Sequence, residues 1–229
     1  MSTKVLHEKT DENDSFSQKL TDFLVKYRKI LITGLSVIIV CLITVFIVAA
    51  VKEKKSQTAS EAIETIQSDW DAARTASDTT DLASKEDEQL AKLEKIYKSN
   101  KHSYAGARAS MTIAEIYFSR KDWKNAQDAY LMAAKSAPRA YTAGLNYYNA
   151  GMCADELGNE DEAIDYFNKA NACENFALKS RALFSIGRIE EQRSNKDAAI
   201  SAYEEVAEKY PDDDWALLAK SRIIALKIK

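Results

Sequence analysis

The sequence predicts an all-α protein in which a single N-terminal transmembrane helix precedes a solenoid of helical hairpins that ends in a capping helix. Three observations predict this class. The 229 residues include only 6 Gly and 2 Pro, and strand-rich folds draw on both residue types for their turns. Residues 30–51 carry no charge. After Lys55 the apolar residues follow a helical spacing that repeats along the chain.

The composition argues against several classes of function. The net charge of −3 leaves no excess of cations to neutralise phosphates, so we expect no nucleic-acid binding. Two His and three Cys offer little for metal or thiol chemistry, and no Walker loop, GxSxG, HExxH or CxxC motif occurs. We therefore expect no catalytic residue, metal, cofactor or small-molecule substrate, and predict that the protein is not an enzyme.

Residues 1–29 form a polar tail that ends in a short amphipathic segment. Residues 1–13 are polar and expected to be disordered. An amphipathic helix is predicted from Ser15, with Asp14 or Ser15 as its N-cap. Its apolar positions are Phe16, Leu20, Phe23, Leu24 and Tyr27.

Residues 30–51 have the length and composition of a transmembrane helix. As a helix these 22 residues span roughly 33 Å, enough for a hydrocarbon core of about 30 Å. A cleaved signal peptide is the alternative: the run exceeds a typical apolar region and five acids precede it, but Val48-Ala49-Ala50 resembles a cleavage site. Three cations flank each end of the run, so charge alone does not decide its orientation.

Three segments between residues 104 and 211 share one register. A small residue (Ala114, Gly151, Gly187) precedes an alanine (Ala126, Ala163, Ala199), and an aromatic residue follows four positions later (Tyr130, Phe167, Tyr203). Each segment therefore reads as two antiparallel helices, in which the small residue permits close approach and the aromatic ring fills the space above it. Pro138 and Pro211 end the first and third segments.

The flanking segments extend the solenoid. Residues 52–103 contain a degenerate first hairpin with apolar positions at Ile63, Ile66, Trp70, Leu90 and Leu93, joined by a polar link over residues 76–85. Residues 212–229 begin with three aspartates that suit a helix start. We expect this last helix to cap the solenoid and shield it from water.

The repeated pattern resembles the tetratricopeptide repeat, with small and aromatic residues at matching positions over residues 104–211. The first unit departs from it, since Ser110 stands where the family often carries Trp. The resemblance implies a protein-binding solenoid whose first helices line a concave groove. By this register the inward positions of the first helices are Arg108, Met111, Glu115, Phe118, Leu145, Tyr148, Met152, Asp155, Arg181, Phe184, Arg188 and Glu191. The residues expected to bind in the groove are Arg108, Met111, Phe118, Tyr148, Met152, Arg181, Phe184 and Arg188. The alternative is that some of them pack between repeats or lie under the terminal helix.

Residues 12–229 as a whole resemble the YfgM-like family, ancillary subunits of the Sec translocon. The resemblance rests on Glu12-Asn13-Asp14, the segment from Phe23 to Lys29, the apolar run, the helix that continues to Trp70, and residues 104–109. The resemblance implies an inner-membrane protein with a cytoplasmic N-terminus and periplasmic repeats. It also implies that the repeats bind the translocon, periplasmic foldases or unfolded client chains, which would make the protein a chaperone.

Two other functions stay open. A structural scaffold subunit of another envelope complex, in cell division, secretion or outer-membrane assembly, fits the same sequence. Cytosolic repeats, as in organelle import receptors, fit less well, because Met111 and Glu115 stand where a carboxylate clamp needs Lys and Asn. The sequence also leaves open whether Cys153 and Cys173 form a disulfide in an oxidising compartment.

Overall fold

The computed structural model describes residues 2–76 and 80–228, with side chains from Ser17 onward. Within these ranges every regular element is an α-helix, which confirms the predicted fold class. The helices are α1 (Ser2–Thr75), α2 (Leu82–Asn100), α3 (Tyr104–Ser119), α4 (Trp123–Ser136), α5 (Thr142–Glu156), α6 (Glu160–Ala172), α7 (Lys179–Gln192), α8 (Lys196–Lys209) and α9 (Asp214–Ile228).

Two compact units divide the chain, Met1–Lys54 and Lys55–Lys229. In the first unit α1 already begins at Ser2, so the expected disorder over residues 1–13 and the N-cap at Asp14 or Ser15 are both wrong. Residues such as Lys4, Glu8 and Lys9 have good helix propensity and nothing there breaks the helix. The predicted boundaries at residues 14 and 29 therefore lie inside one helix.

The apolar run of the first unit leaves its side chains exposed, among them Ile38, Val45 and Phe46. Among the described helices, α1 is the one whose length and composition suffice to cross a membrane. Its hydroxyl groups are satisfied within the helix: Thr33 donates to the Lys29 carbonyl and Thr44 to the Val40 carbonyl, both over 2.8 Å. This bonding lowers the cost of placing a hydroxyl in an apolar environment.

The second unit is a run of hairpins in which successive helices pack on each other from α2 to α9. The helix pairs are α3 with α4, α5 with α6, and α7 with α8. Ahead of them, Ile63, Ile66 and Trp70 of α1 share a core with Leu90 and Leu93 of α2. The helix α2 begins at Leu82, so the link expected over residues 76–85 is shorter; residues 77–79 of it lie outside the described residues.

The small residues allow close packing, but against the aromatic ring rather than against the alanine. A Cβ atom added to Gly151 would lie 2.8 Å from the Phe167 ring, and one added to Gly187 would lie 2.6 Å from the Tyr203 ring. Real Cβ atoms do not approach this closely. Glycine is therefore required at both positions because the ring from the second helix occupies the space where a side chain would stand.

Each of the three hairpin turns contains one residue in the left-handed backbone conformation. Lys121, Gly158 and Ser194 occupy equivalent turn positions and have φ angles of 58°, 73° and 62°. The left-handed conformation costs a residue with a Cβ atom more than it costs glycine. Only the middle turn carries the glycine that this geometry favours.

Candidate functional site

A cavity of about 750 Å³ lies in the second unit, between the last turns of α1, the C-terminal half of α3 and the start of α4. Its volume falls in the range of roughly 300–1,000 Å³ that is usual for ligand sites. Three elements supply its lining, which consists of Gln67, Trp70, Asp71, Arg74, Glu115, Phe118, Ser119, Lys121, Trp123 and Tyr130. The cavity therefore combines aromatic walls with charged groups of both signs.

The aromatic side chains of the cavity are held against one another. Phe118, which is 37% exposed, meets Trp123 edge to face with 5.0 Å between ring centroids and Tyr130 with 6.4 Å. Edge-to-face pairs are a favoured aromatic geometry. Tyr130 is buried under them and occupies the repeat position that was predicted to fill the first hairpin.

Trp70 forms the opposite wall and is fixed from behind. Its indole N–H donates to the Glu86 carboxylate over 2.8 Å. The other Glu86 oxygen accepts from Arg120 Nε over 2.6 Å. The guanidinium of Arg74 lies over the Trp70 ring, 4.6 Å from its centroid. This network fixes the Trp70 ring from both sides before any ligand arrives.

Glu115 projects into the cavity without a partner. In the part of the chain that the structure describes, no hydrogen-bond donor is in range of its carboxylate and no cationic nitrogen lies within 4 Å. Burial and the nearby Asp71 raise the pKa of Glu115 to about 7, and Arg74 opposes the shift. A carboxyl group that titrates near neutral pH inside a cavity is typical of a functional site.

The three predicted groove residues of the first hairpin make contacts of different kinds. Phe118 lines the cavity. Arg108 instead links α3 to α1, since its Nη1 atom lies 3.1 Å from the Glu64 carboxylate and its Nη2 atom 3.4 Å from the Gln67 side-chain oxygen. Met111 is half-buried and packs against the core of the N-terminal hairpins.

In the second and third hairpins the predicted groove residues make contacts within the protein. Tyr148 is only 4% exposed, and its ring lies between Phe167 and Phe176 at 5.4 and 5.9 Å. This burial corrects its assignment to the groove: Tyr148 belongs to the core. Met152 is half-buried in the same core.

The remaining three groove residues bridge helices. The guanidinium of Arg181 lies over the rings of Tyr148 and Trp215, 5.6 and 5.5 Å from their centroids. Phe184 packs between Tyr203 and Trp215 at 5.1 and 5.0 Å. Arg188 pairs with Asp155 of α5. Trp215 at the start of α9 thus covers this part of the concave face.

Sequence reasoning did not assign the α1 wall of the cavity. Trp70, Asp71 and Arg74 all come from α1, in a segment too degenerate to be placed in the repeat register. The available signal was Trp70 itself, a large aromatic residue in the predicted first hairpin. Arg74 lies one turn after Trp70 on the same face of α1, and Asp71 follows Trp70 directly; both line the cavity.

The cysteines and the acidic clusters add no further site. Cys41, Cys153 and Cys173 are free, and Cys153 is fully buried. Within the described ranges, no group of three or more His, Cys, Asp or Glu side chains is arranged to hold a metal ion. Asp213 instead accepts a hydrogen bond of 2.6 Å from Ser180 at the start of α7.

Comparisons with known proteins identify the repeats. Tetratricopeptide repeat models match residues 146–172 and 181–213. A TPR repeat-containing protein of Treponema pallidum (strain Nichols) is 38% identical over 184 residues, which cover 74% of this chain and 77% of the relative.

Two further proteins are similar to this chain over part of their length. Response regulator aspartate phosphatase J of Bacillus subtilis (strain 168) is 34% identical over 97 residues, 40% of this chain and 26% of the phosphatase, so the chain spans about a quarter of it. The crystal structure of the apo form of RapI has the same fold, with a TM-score of 0.51 and 14% identity over 73% of this chain and 61% of that one.

The family assignment follows from the relative and from the hairpins together. The relative of Treponema pallidum covers most of both chains at 38% identity, and the helix pairs α5–α6 and α7–α8 coincide with the matched repeats. Such repeats indicate a scaffold for protein–protein interaction. The chain belongs to the tetratricopeptide repeat-containing proteins.

Proposed function

We propose that the protein is a non-enzymatic, membrane-anchored adaptor that binds polypeptide segments in the cavity between α1, α3 and α4 and assists protein export or folding at the Sec translocon. The cavity is the observation that carries the binding proposal. It is large enough for a side chain with its flanking backbone, and its aromatic walls suit an extended chain.

The apolar run supports the membrane anchor. It is long enough to span a bilayer, and a tether confines the cavity near its clients, so weak contacts are enough. The resemblance to YfgM-like proteins supports the placement in the inner membrane, with the N-terminus in the cytoplasm and the repeats in the periplasm, close to the translocon and the periplasmic foldases.

Crosslinking in living cells tests this function. A photoreactive residue at Ser119, which is exposed and lines the cavity, should capture newly made secreted chains together with translocon subunits. The same residue at Ser201, exposed on α8, is the matched control and should capture far less. Equal capture at the two positions would exclude the cavity as the binding surface.

A second candidate is a scaffold subunit that holds one folded partner of another envelope complex. The observation that favours it is the packing at α7, where Arg181 and Phe184 lie against Trp215 of α9. Crosslinks from Ser119 to a single stoichiometric partner would support this scaffold over the export adaptor.

The side of the membrane is tested separately. Protease added to cells with a permeabilised outer membrane should digest residues 55–229 while the cytoplasm stays closed. Digestion only after the inner membrane is opened would place the repeats in the cytoplasm and reject the export role.

A further inference from the structure

Two carboxylates of the cavity make no ion pair within the described part of the chain. The carboxylates of Asp71 on α1 and Glu115 on α3 both line it. In the described part of the chain neither of them has a cationic nitrogen within 4 Å or a side-chain hydrogen bond. Other acids of this region are paired, as Glu86 and Asp87 are with Arg120. The position between Asp71 and Glu115 therefore lacks a counter-charge.

The two cations in the lining do not fill that position. The guanidinium carbon of Arg74 lies over the Trp70 ring, 4.6 Å from its centroid. Lys121 is exposed, in the turn that follows α3. Asp71 raises the pKa of Glu115 more than Arg74 lowers it.

The aromatic walls of the cavity favour a cationic side chain, as its two carboxylates do. Trp70, Phe118 and Trp123 present aromatic surface around the two carboxylates. Lysine and arginine side chains favour such surfaces, because the ring quadrupole attracts the cation while the ring covers its aliphatic stem. Glu115 is half-buried and Asp71 is exposed. An apolar ligand side chain would contact the same aromatic walls, but it would displace water from both carboxylates without pairing them, which is costly.

We propose that the cavity receives a lysine or arginine side chain of the bound polypeptide, with Glu115 and Asp71 as its counter-charges and the aromatic residues as its walls. The inference rests on the proposed function, in which this cavity binds polypeptide. It adds the chemical class of the side chain that the cavity selects, and it makes basic segments the preferred ligands.

The affinity should depend on pH near neutrality. The groups that face Glu115 are Asp71 and Arg74 from α1, Lys121 from the turn and Tyr130 from α4. Because the pKa of Glu115 is about 7, its carboxylate is fully charged only above that pH. A bound cation favours the charged form, so binding should strengthen from pH 6 to pH 8.

The test uses the full chain in detergent micelles and an array of random 13-residue peptides. Peptides that bind are remade with each Lys or Arg replaced by Met or by Glu, and their affinities are measured by the fluorescence of Trp70 and Trp123. We expect replacement by Met to weaken binding about tenfold, and replacement by Glu to weaken it further.

The variants Glu115→Gln and Asp71→Asn should remove the preference for basic over Met-containing peptides and flatten the pH dependence. Glu61→Gln, on an exposed residue of α1, is the matched control and should leave both unchanged. Binding that is indifferent to Lys, Arg and Met, or strongest for Glu, would overturn the inference while the proposed function stands. An array without any binding peptide would reject both.

Discussion

The rings of Tyr203 and Phe167 show why the glycines that face them, Gly187 and Gly151, cannot be replaced. The Tyr203 ring is 1% exposed, and its hydroxyl group donates to the Glu191 carboxylate over 3.1 Å. The ring is therefore held at both ends and cannot move away from Gly187. Phe167 occupies the equivalent place over Gly151 and is fully buried.

We predict that Gly187→Ala destabilises the repeats. Alanine gains up to about 1 kcal/mol in helix propensity, but the clash with the fixed Tyr203 ring costs about 2–3 kcal/mol, so the net loss is about 1–2 kcal/mol. Urea unfolding followed by tryptophan fluorescence measures it, since all three Trp lie in residues 55–229. Gly34→Ala, where an added Cβ meets nothing within 4 Å, is the control. Equal midpoints would show that the ring is free to move.

Glu115 makes the stability of the protein depend on pH. The pKa of Glu115 is about 7 in the folded protein against 4.5 for an ordinary glutamate, so the folded state binds the proton more tightly. Between about pH 4.5 and 7 the stability therefore falls as the pH rises, by about 2 kcal/mol once solvent at the cavity mouth is allowed for.

Glu115→Gln should remove this dependence. We expect the variant to be more stable than the wild type at pH 8 and similar to it at pH 4.5, because Gln carries no charge to bury. Thermal unfolding of the full chain in micelles at the two pH values checks this, with Glu61→Gln as the control. An unchanged slope for Glu115→Gln would assign the pH dependence to other groups.

At the scale of elements, an arginine fastens one hairpin to the next at two places. Arg120, which follows α3, bonds Glu86 and Asp87 near the start of α2. Arg193, which follows α7, bonds Glu160 and Asp161 at the start of α6 over 2.7 and 2.8 Å. Both arginines stand at the same hairpin position, but their surroundings differ: the side chain of Glu86 is 5% exposed and that of Glu160 is 38% exposed.

This difference predicts unequal costs for the same substitution. Arg120→Ala leaves the Glu86 carboxylate buried with only the Trp70 N–H as a partner, and should cost about 2–3 kcal/mol. Arg193→Ala breaks an accessible pair and should cost less than about 1 kcal/mol. Urea unfolding of both variants compares them directly. Equal losses would mean that water reaches Glu86 as easily as Glu160.

The helix α9 caps only one side of the solenoid end. Ala216, Ala219 and Leu226 are buried against the last hairpin, as a capping helix requires. Leu217 and Ile224, on the other side, are 74% and 60% exposed. The sequence predicted the cap from its apolar content. It did not indicate which apolar residues face water, because α9 is apolar on both sides.

At the scale of the whole molecule, two cysteine thiols are kept from water in different ways, one by the protein core and one by the proposed lipid surroundings. Cys153 is enclosed by the repeat core, and burial raises the pKa of its thiol to about 12. Cys41 is exposed in the structure and lies inside the apolar run. If that run is the proposed membrane anchor, the bilayer alone protects Cys41.

We therefore predict different responses to urea in membrane vesicles. Urea unfolds the repeats, so Cys153 should react with a charged maleimide, whereas Cys41 should stay unreactive until the lipid is dissolved in SDS. Single-cysteine variants and mass tagging measure both. Labelling of Cys41 in untreated vesicles as fast as in SDS would contradict the membrane anchor.

The fold class was predictable because it depends on patterns that are local in the chain. The spacing of small, alanine and aromatic residues identifies the three hairpins from α3 to α8. The site was less predictable. Of the eight predicted groove residues only Phe118 lines the cavity, together with Glu115 from the other predicted inward positions. Whether Tyr148, Arg181 or Phe184 faces a groove depends on what α9 and the neighbouring hairpin place over it.

By itself the sequence determined that this chain is a helical repeat protein with one apolar segment, because helix periodicity and repeat spacing need no knowledge of distant contacts. Only the tertiary structure decided where a ligand has room. The cavity arises because Trp70 and Asp71 of α1 stand opposite Glu115 and Phe118 of α3, about 45 residues apart in the sequence. Such a juxtaposition depends on how hairpins stack, and no local pattern encodes it.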